Sequence, residues 1–526
     1  MPGLSSADHS VSPPIITIPR QYNAAYDLIE RNLAAGRAGK IAYVDDAGRY
    51  TYGELAQRVD RAANALTGLG LEMEDRIMLA HLDTIDFPSV FLGAIKAGIV
   101  PIAANTLLTA DDYKFMLEDS RARALVVSEA LLPSFAPILA SIPSLRHVIV
   151  SGKDAHGHLL LQKLGANAAP RFEAAPTTSD DVCFWLYSSG STGTPKGTVH
   201  VQSSMIQTAE LYAKPVLGMR ESDVVFSAAK LFFAYGLGNA LSFPLAVGAT
   251  ALLMAERPTP AAVFKRLREH RPTIFYGVPT LFGALLASPD LPRREDVVLR
   301  VCASAGEALP AEIGRRWTEH FGVEILDGIG STEMLHIFLS NLPSEVRYGT
   351  TGKPVPGYQI RLVDEYGQEV GVGELGELQI SGPTAAIMYW NQREKTKNTF
   401  QGPWTRSGDK YSFDADGYFT YGGRSDDMLK VSGIYVSPVE VEAALVSHES
   451  VLEAAVVGAE DENKLVKPKA FVVLKPGQDA SDALKKTLQD YIKGRLAPHK
   501  YPRWIEFRAD LPKTATGKIQ RFKLRA

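Results

Sequence analysis

From about residue 24 to 260 the chain switches repeatedly between helical periodicity and short continuous apolar runs, and few architectures accommodate that alternation. The stretch 51–70, TYGELAQRVDRAANALTGLG, places Leu55, Val59, Ala62, Ala63 and Leu66 on one helical face, and RIMLAHL at 76–82 follows as a buried strand. DFPSVFLGAIKAGIV then reads as a helix, with ALVVS and HVIVSG as further strands; PTIFYGVP and VLRVCASAGE continue the scheme as buried strands ending in turn residues. Helices taking turns with buried strands imply parallel sheets covered by helices, with ligands collected where strands end. From about 358 the texture changes to hairpin-like strands, YQIRLVDEYGQEVGVGELGELQISG, the pattern of an antiparallel subdomain. After GRSDD (423–427) come a helix near 438–447, strands AAVVGA and KAFVVLK, and a helix near 480–495, which read as a separate small α+β domain. The expected fold class is therefore α/β: a large N-terminal domain of helix-covered parallel sheets plus an antiparallel β subdomain, and a smaller C-terminal α+β domain. A chain of 526 residues exceeds what one core usually serves.

Charge and cysteine usage narrow the partners. A net charge of -3 gives no general attraction to nucleic acid or to an anionic membrane. The imbalance is local: residues 491–526 carry ten Lys or Arg against Glu506 and Asp510, leaving the rest of the chain at -11. Such a tail is either a solvated surface or a meeting place for a polyanionic cofactor. The two cysteines, Cys183 and Cys302, lie in apolar runs, so no disulfide framework exists and a reducing cytosol fits. No secretory signal is read at the N-terminus, and the expected location is cytoplasmic. Residues 231–255 run without a charge, but Gly236, Gly238, Asn239, Ser242, Pro244 and Gly248 break them into pieces too short to span a bilayer.

The stretch 187–197, YSSGSTGTPKG, packs three glycines, five Ser or Thr and one lysine behind an apolar strand. Glycine lets the backbone approach phosphate, and hydroxyls and N–H groups donate to its oxygens. It is not a Walker A loop: counted from Gly190, Pro195 stands where glycine is required, Gly197 where Ser or Thr binds Mg²⁺, and the strand-like TVHV follows instead of a helix. The loop resembles the signature of the acyl-adenylate-forming enzymes, which include acyl-CoA synthetases, adenylation domains of peptide synthetases and luciferases. Four further stretches match that family in order: GIGSTE (328–333), WTRSGD (404–409), GRSDDMLKVSGIYVSPVEVE (423–442) and PKTATGKIQR (512–521).

The resemblance implies ATP-dependent activation of a carboxylic acid as an acyl-AMP, followed by transfer to coenzyme A, with ATP, Mg²⁺ and coenzyme A as the small molecules bound. It assigns Ser188, Ser189, Gly190, Ser191, Thr192, Gly193, Thr194 and Lys196 to the β- and γ-phosphates, Thr332 to the α-phosphate, and Glu333 to Mg²⁺. Asp409 and Arg424 fall to the ribose; Gly306, Glu307, Ala308 and Asp327 to the adenine. Lys518 is the expected catalytic lysine, stabilising charge between carboxylate and α-phosphate. A domain rotation would withdraw it before thiol attack, which makes 1–424 the large domain, 425–427 the hinge around Asp426, and 428–526 a mobile small domain, with Gly433 beside the coenzyme A tunnel. Read alone, several of these have plainer meanings: STE as a helix N-cap, Gly-Asp as a turn, Lys518 as one solvated lysine of a basic tail.

The acyl pocket is expected from Phe233, Ala234, Tyr235, Gly236, Gly328, Ile329, Gly330, His336 and Ile337, a short and largely apolar slot suited to an aryl ring. Amino-acid-activating members of the family usually place an Asp near the position of Phe233 to pair the ammonium group, and none stands there, so the resemblance implies that this class is excluded. The expected partner is an aryl carboxylate, benzoate foremost, handled by a monomer or homodimer. A cinnamate-type or medium-chain acid, a luciferase-like oxygenase and a non-catalytic nucleotide-binding protein stay open at this point.

Overall fold

The computed structural model describes residues 2–189, 195–425, 427–431, 434–462, 465–513 and 519–525. Thr51 caps the helix Tyr52–Gly68 through a reciprocal capping box with Glu54, and the five residues expected on its apolar face are all buried. The helix Asp86–Lys96 crosses it closely, because a Cβ on Gly93 would lie 2.7 Å from the Ala62 methyl and 2.8 Å from the Val59 carbonyl. These helices cover one of two large sheets. Its parallel strands are Val182–Ser189, Val100–Ala103, Arg76–Ala80, Ala124–Ser128, His147–Ser151 and Leu159–Leu160, in that spatial order. Pro195–Val201 and then the short Met388–Tyr389 extend it antiparallel at the first edge.

The second sheet has nine strands, and those from Ile41–Asp45 across to Ile325–Gly330 run parallel. Its strands Val301–Ser304 and Ile325–Gly330 are neighbours, so the segments following them emerge side by side. The region without charge is broken as its glycines and proline require: short helical pieces Ala234–Leu237 and Phe243–Val247 flank a π-helical turn Gly238–Ser242, and Gly248 ends them at φ 83° before the strand Thr250–Leu252. Among the described residues no helix is long and apolar enough to cross a membrane.

The hairpin texture after 358 forms a five-stranded sheet in which Gln359–Val363, Gly376–Ser381 and Trp404–Phe413 pair antiparallel, with Phe400–Gln401 and Phe419–Arg424 on Trp404–Phe413. The C-terminal part has its own core beneath a three-stranded sheet, Val451–Glu460, Val466–Leu474 and Trp504–Phe507, packed with the helices Pro438–Val446 and Asp482–Lys493. A partly buried ion network ties its last turn together. Arg521 donates to both Glu442 oxygens at 2.9 and 2.6 Å, and lies 3.6 Å from Asp427, to which Arg525 also donates. The hinge expectation at Asp426 falls outside the described residues.

Candidate active site

The described residues on either side of the phosphate loop, Val182–Ser189 and Pro195–Val201, pair antiparallel. These arms pair Tyr187 with Gly197 and Ser188 with Lys196, which brings Lys196 to the carboxyl end of the parallel strand beside it. Residues 190–194, expected to hold phosphate, lie outside the described residues, as do Gly433 and Lys518; of Ser189 only its strand pairing with Pro195 is described. Gly197 passes beneath aromatic rings, with its Cβ position 3.4 Å from both Trp390 and Tyr187. The segment 387–390 is stitched to the hairpin by Ile387 and Trp390 N–H groups on the Val199 and Gly197 carbonyls, at 3.0 and 2.8 Å.

That stitching delivers Tyr389 into the site. Its hydroxyl donates to Glu333 Oε1 at 2.7 Å, and the Lys196 ammonium lies over its ring, 4.5 Å from the centroid and 3.8 Å from the same Glu333 oxygen. Burial pushes the Lys196 pKa down, and the Glu333 charge opposes that shift. The lysine and the acid expected to handle phosphate and Mg²⁺ therefore meet around a tyrosine that no spacing rule had singled out.

Thr332 and Glu333 stand on a turn, not at a helix start: the strand Ile337–Ser340 follows them, which removes the N-cap reading. Within the turn Leu335 N–H donates to the Thr332 carbonyl at 3.2 Å and Met334 N–H to Ser331 Oγ at 3.2 Å. Leu335 itself is left-handed, φ 67°, a conformation that costs an L-residue about 1–2 kcal/mol. His200, on the phosphate hairpin, is fully buried and its Nε2 lies 2.7 Å from the Thr332 carbonyl. Burial lowers its pKa to about 4, so the ring is neutral.

Asp327, in the strand Ile325–Gly330, is the last residue to pair with the parallel strand Val301–Ser304, opposite Ser304, and Leu309 N–H reaches its Oδ2 at 3.4 Å. Burial raises the pKa of this carboxyl well above its ordinary value, and among the described residues its Oδ1 has no hydrogen-bond partner. Gly306, at φ 97°, turns the chain immediately after the neighbouring strand, so Gly306, Glu307 and Ala308 share this corner with Asp327. Asp409 and Arg424 are cross-strand partners, with Arg424 Nη1 3.2 Å from Asp409 Oδ1 and 3.1 Å from the Ser407 carbonyl. Arg424 acts electrostatically on Lys196 and Tyr389, while Tyr411 feels both Asp409 and Asp327. The arms of the 187–197 hairpin and the segments 327–333, 404–411 and 423–424 thus converge on one region.

The acyl wall divides. Phe233, Ala234, Tyr235, Ile329 and Gly330 are half-buried, with the Tyr235 ring edge-on to Tyr276 at 6.1 Å. Gly328, Gly236, His336 and Ile337 are buried. A Cβ on Gly236 would collide with the Lys230 carbonyl, so this glycine serves backbone packing. The His336 ring packs between Tyr212, Tyr235 and Phe243 at 5.3, 5.5 and 4.5 Å, its Nε2 lies 3.2 Å from Asn239 Oδ1, and burial lowers its pKa to about 3. It is a neutral, engaged core histidine. Asp83, absent from the sequence expectations, takes the Leu231 N–H at 3.2 Å beneath this wall. Burial raises its pKa to about 6 against the pull of Lys230.

Among the described residues no group of three His, Cys, Asp or Glu is arranged to hold a metal. A single carboxylate completed by substrate phosphates is nevertheless the usual setting for Mg²⁺, and Glu333 beside the phosphate hairpin fits it.

Helix-covered parallel sheets, an appended antiparallel sheet, a small C-terminal domain and this cluster of lysine, carboxylates and arginine define a nucleotide-dependent acid-activating protein. Residues 30–390 match the family described as AMP-binding enzyme, residues 440–518 match the AMP-binding enzyme C-terminal domain, and the chain belongs to that family. More particularly, it is 67% identical over 525 residues, 99% of each chain, to benzoate–CoA ligase of Thauera aromatica. A benzoate CoA ligase structure from Burkholderia xenovorans LB400 superposes with a TM-score of 0.91 at 59% identity, covering 96% of this chain and all of the other. The anthranilate CoA ligase AuaEII in complex with anthranoyl-AMP gives 0.93 at 44% identity, covering 96% and 97%.

Proposed function

We propose that this protein joins benzoate to coenzyme A at the expense of ATP, releasing AMP and pyrophosphate. The reading is carried by a site that gathers Lys196, Glu333, Asp327, Asp409 and Arg424 in a chain 67% identical, end to end, to a benzoate–CoA ligase. In the first step a benzoate oxygen attacks the α-phosphorus, the bond to the bridging α,β-oxygen breaks, and pyrophosphate departs. In the second the coenzyme A thiolate attacks the acyl carbon and AMP leaves with the bonding pair.

Both steps crowd anions together, so positioning and charge stabilisation dominate. Lys196 and the 188–194 loop hold the β- and γ-phosphates; Thr332 contacts the α-phosphate; Glu333 holds Mg²⁺, which neutralises phosphate charge when bound. Asp409, with Arg424 beside it, takes the ribose hydroxyls. Asp327 faces the adenine amino group, for which its Oδ1, without a hydrogen-bond partner among the described residues, is a ready acceptor. Phe233, Ala234, Tyr235, Ile329 and Gly330 flank the ring, with Gly236, Gly328, His336 and Ile337 supporting them from the core. Lys518, on the small domain 428–526, completes the first step, and rotation about 425–427 exchanges it for the thiol path past Gly433. Two free, buried cysteines suit a cytoplasmic enzyme working as monomer or homodimer.

The test is ATP/pyrophosphate exchange over a panel of carboxylic acids, with mass detection of the thioester. Benzoate should give the highest kcat/KM, with hydroxylated and amino-substituted benzoates below it; a preference for cinnamate-type or medium-chain acids would overturn the assignment. Lys518→Ala should slow exchange about 10²- to 10³-fold while sparing conversion of supplied benzoyl-AMP.

A further inference from the structure

Three consecutive carbonyls of the turn bearing Thr332 and Glu333, those of residues 332–334, each accept from a donor elsewhere in the chain. The Thr332 carbonyl accepts from His200, the Glu333 carbonyl from the Ala386 N–H, and the Met334 carbonyl from the Thr384 hydroxyl, each at 2.7 Å. A carbonyl only accepts, so His200 Nε2 carries the proton. The imidazole is stacked on Phe184 at 5.3 Å, and Thr384 is buried with its oxygen 2.9 Å from the Tyr358 hydroxyl. Neither donor has freedom to swing away.

Opposed to these three grips is Leu335. Its left-handed backbone is a sparsely populated state that persists only where the surroundings over-determine it. Relaxation of Leu335 would rotate the adjoining peptide planes and swing Glu333 from the Tyr389 hydroxyl at 2.7 Å and from Lys196 at 3.8 Å. His200 stands four residues after Lys196 on the same strand, so one β-strand sets both the position of the lysine and that of the turn facing it.

We propose that His200 and Thr384 are positioning residues for acid adenylation, holding the strained 331–335 turn so that Thr332 and Glu333 are preset against the phosphate hairpin. The proposal rests on the functional reading above for the step it affects, and on geometry alone for the turn it holds. A displacement of about 1 Å at a reacting group lowers a rate by up to about 10²-fold, which bounds the expected effect.

The experiment uses the full chain with His200→Phe, which keeps an aromatic ring against Phe184 but removes the donor, His200→Gln, which restores an N–H, and Thr384→Val, which removes the second donor at constant shape. Benzoate-dependent pyrophosphate exchange by His200→Phe should fall in kcat by about 10- to 100-fold, with the KM for benzoate changed less than about twofold. Thr384→Val should show the same split, and thioester formation from supplied benzoyl-AMP should stay within about threefold of wild type in both. His200→Gln should recover exchange to within about threefold. Unchanged exchange in His200→Phe, equal loss in both half-reactions, or no recovery with glutamine would overturn the proposal. Should the wild-type chain itself show no benzoate-dependent exchange, the functional reading falls, and a crystal structure of His200→Phe still decides the turn: Leu335 leaving the left-handed region supports the proposal, and Leu335 unmoved refutes it.

Discussion

Glu333→Gln isolates what one carboxylate does to the lysine facing it. Glutamine keeps an oxygen for the Tyr389 hydroxyl, so the geometry is retained while the charge goes. The Lys196 and Glu333 side chains are 11% and 16% exposed and 3.8 Å apart, and at an effective dielectric of about 20 their attraction is about 4 kcal/mol. At about 1.4 kcal/mol per tenfold, losing it lowers the Lys196 titration midpoint by up to about three pH units. Burial already depresses that midpoint, and the variant lysine, without the opposing Glu333 charge, titrates lower still. Competitive acylation with a small anhydride, read by mass spectrometry on the Lys196 peptide across pH, measures the midpoint directly. A fall of between about one and three pH units is expected, allowing for water that screens the pair. A midpoint unmoved, or raised, would show that Glu333 is not the group keeping Lys196 charged.

Three further outcomes follow from single contacts. Tyr389→Phe removes a hydrogen bond to a charged group worth about 1.5–3 kcal/mol to the folded protein, and should lower the Tm and, by freeing Glu333, raise the KM for MgATP; a KM within twofold of wild type contradicts the role. Arg521→Met strands the Glu442 carboxylate, which is 10% exposed, and should cost the small domain about 3–5 kcal/mol, visible as lost amide exchange protection over Val451–Glu460; a cost under about 1 kcal/mol would show the pair to be idle. Asp83 is an acid whose folded pKa is raised, so its contribution to stability is fully present below its ordinary value of 3.8 and is lost as pH rises through about 6. The difference in Tm between Asp83→Asn and wild type should therefore shift in favour of asparagine between pH 4 and 7, by the equivalent of about 2 kcal/mol, and curves that stay parallel would refute this.

Local chemistry was legible in the sequence where local rules decide it. The helix Tyr52–Gly68 could be read because its cap, its apolar face and its ending lie within one stretch. The hairpin character of the 358–381 region and the fragmentation of the charge-free stretch were readable for the same reason. The stretches 187–197, 304–308 and 404–409 stood out as candidates through residue types that few other duties require, and Gly408 and Asp409 lie within the strand Trp404–Phe413 instead of a turn. His200, Thr384 and Tyr389 did not stand out, because each acts on a partner far along the chain: 132 residues separate His200 from Thr332, 50 separate Thr384 from Met334, and 56 separate Tyr389 from Glu333. A buried histidine in TVHV has no sequence trace that distinguishes donor from filler. His336, placed by sequence on the pocket wall, packs against three aromatic rings with its Nε2 3.2 Å from Asn239 Oδ1, and no local pattern announces those partners. Asp83 lies 148 residues from the Leu231 amide it receives, and no pattern in either segment points to the other.

The two-residue strand Met388–Tyr389 belongs by sequence to the stretch between two strands of the antiparallel sheet, yet by pairing it is the outermost member of the first parallel sheet. Anyone splicing this chain with a relative inherits that seam. A junction cut between Ser381 and Met388 exchanges Tyr389 for the donor's residue while leaving Lys196 and Glu333 native, and so breaks up a trio that works together. Crossing over after Trp390 transplants the downstream modules with the trio intact, which makes that position the natural splice point for hybrid ligases.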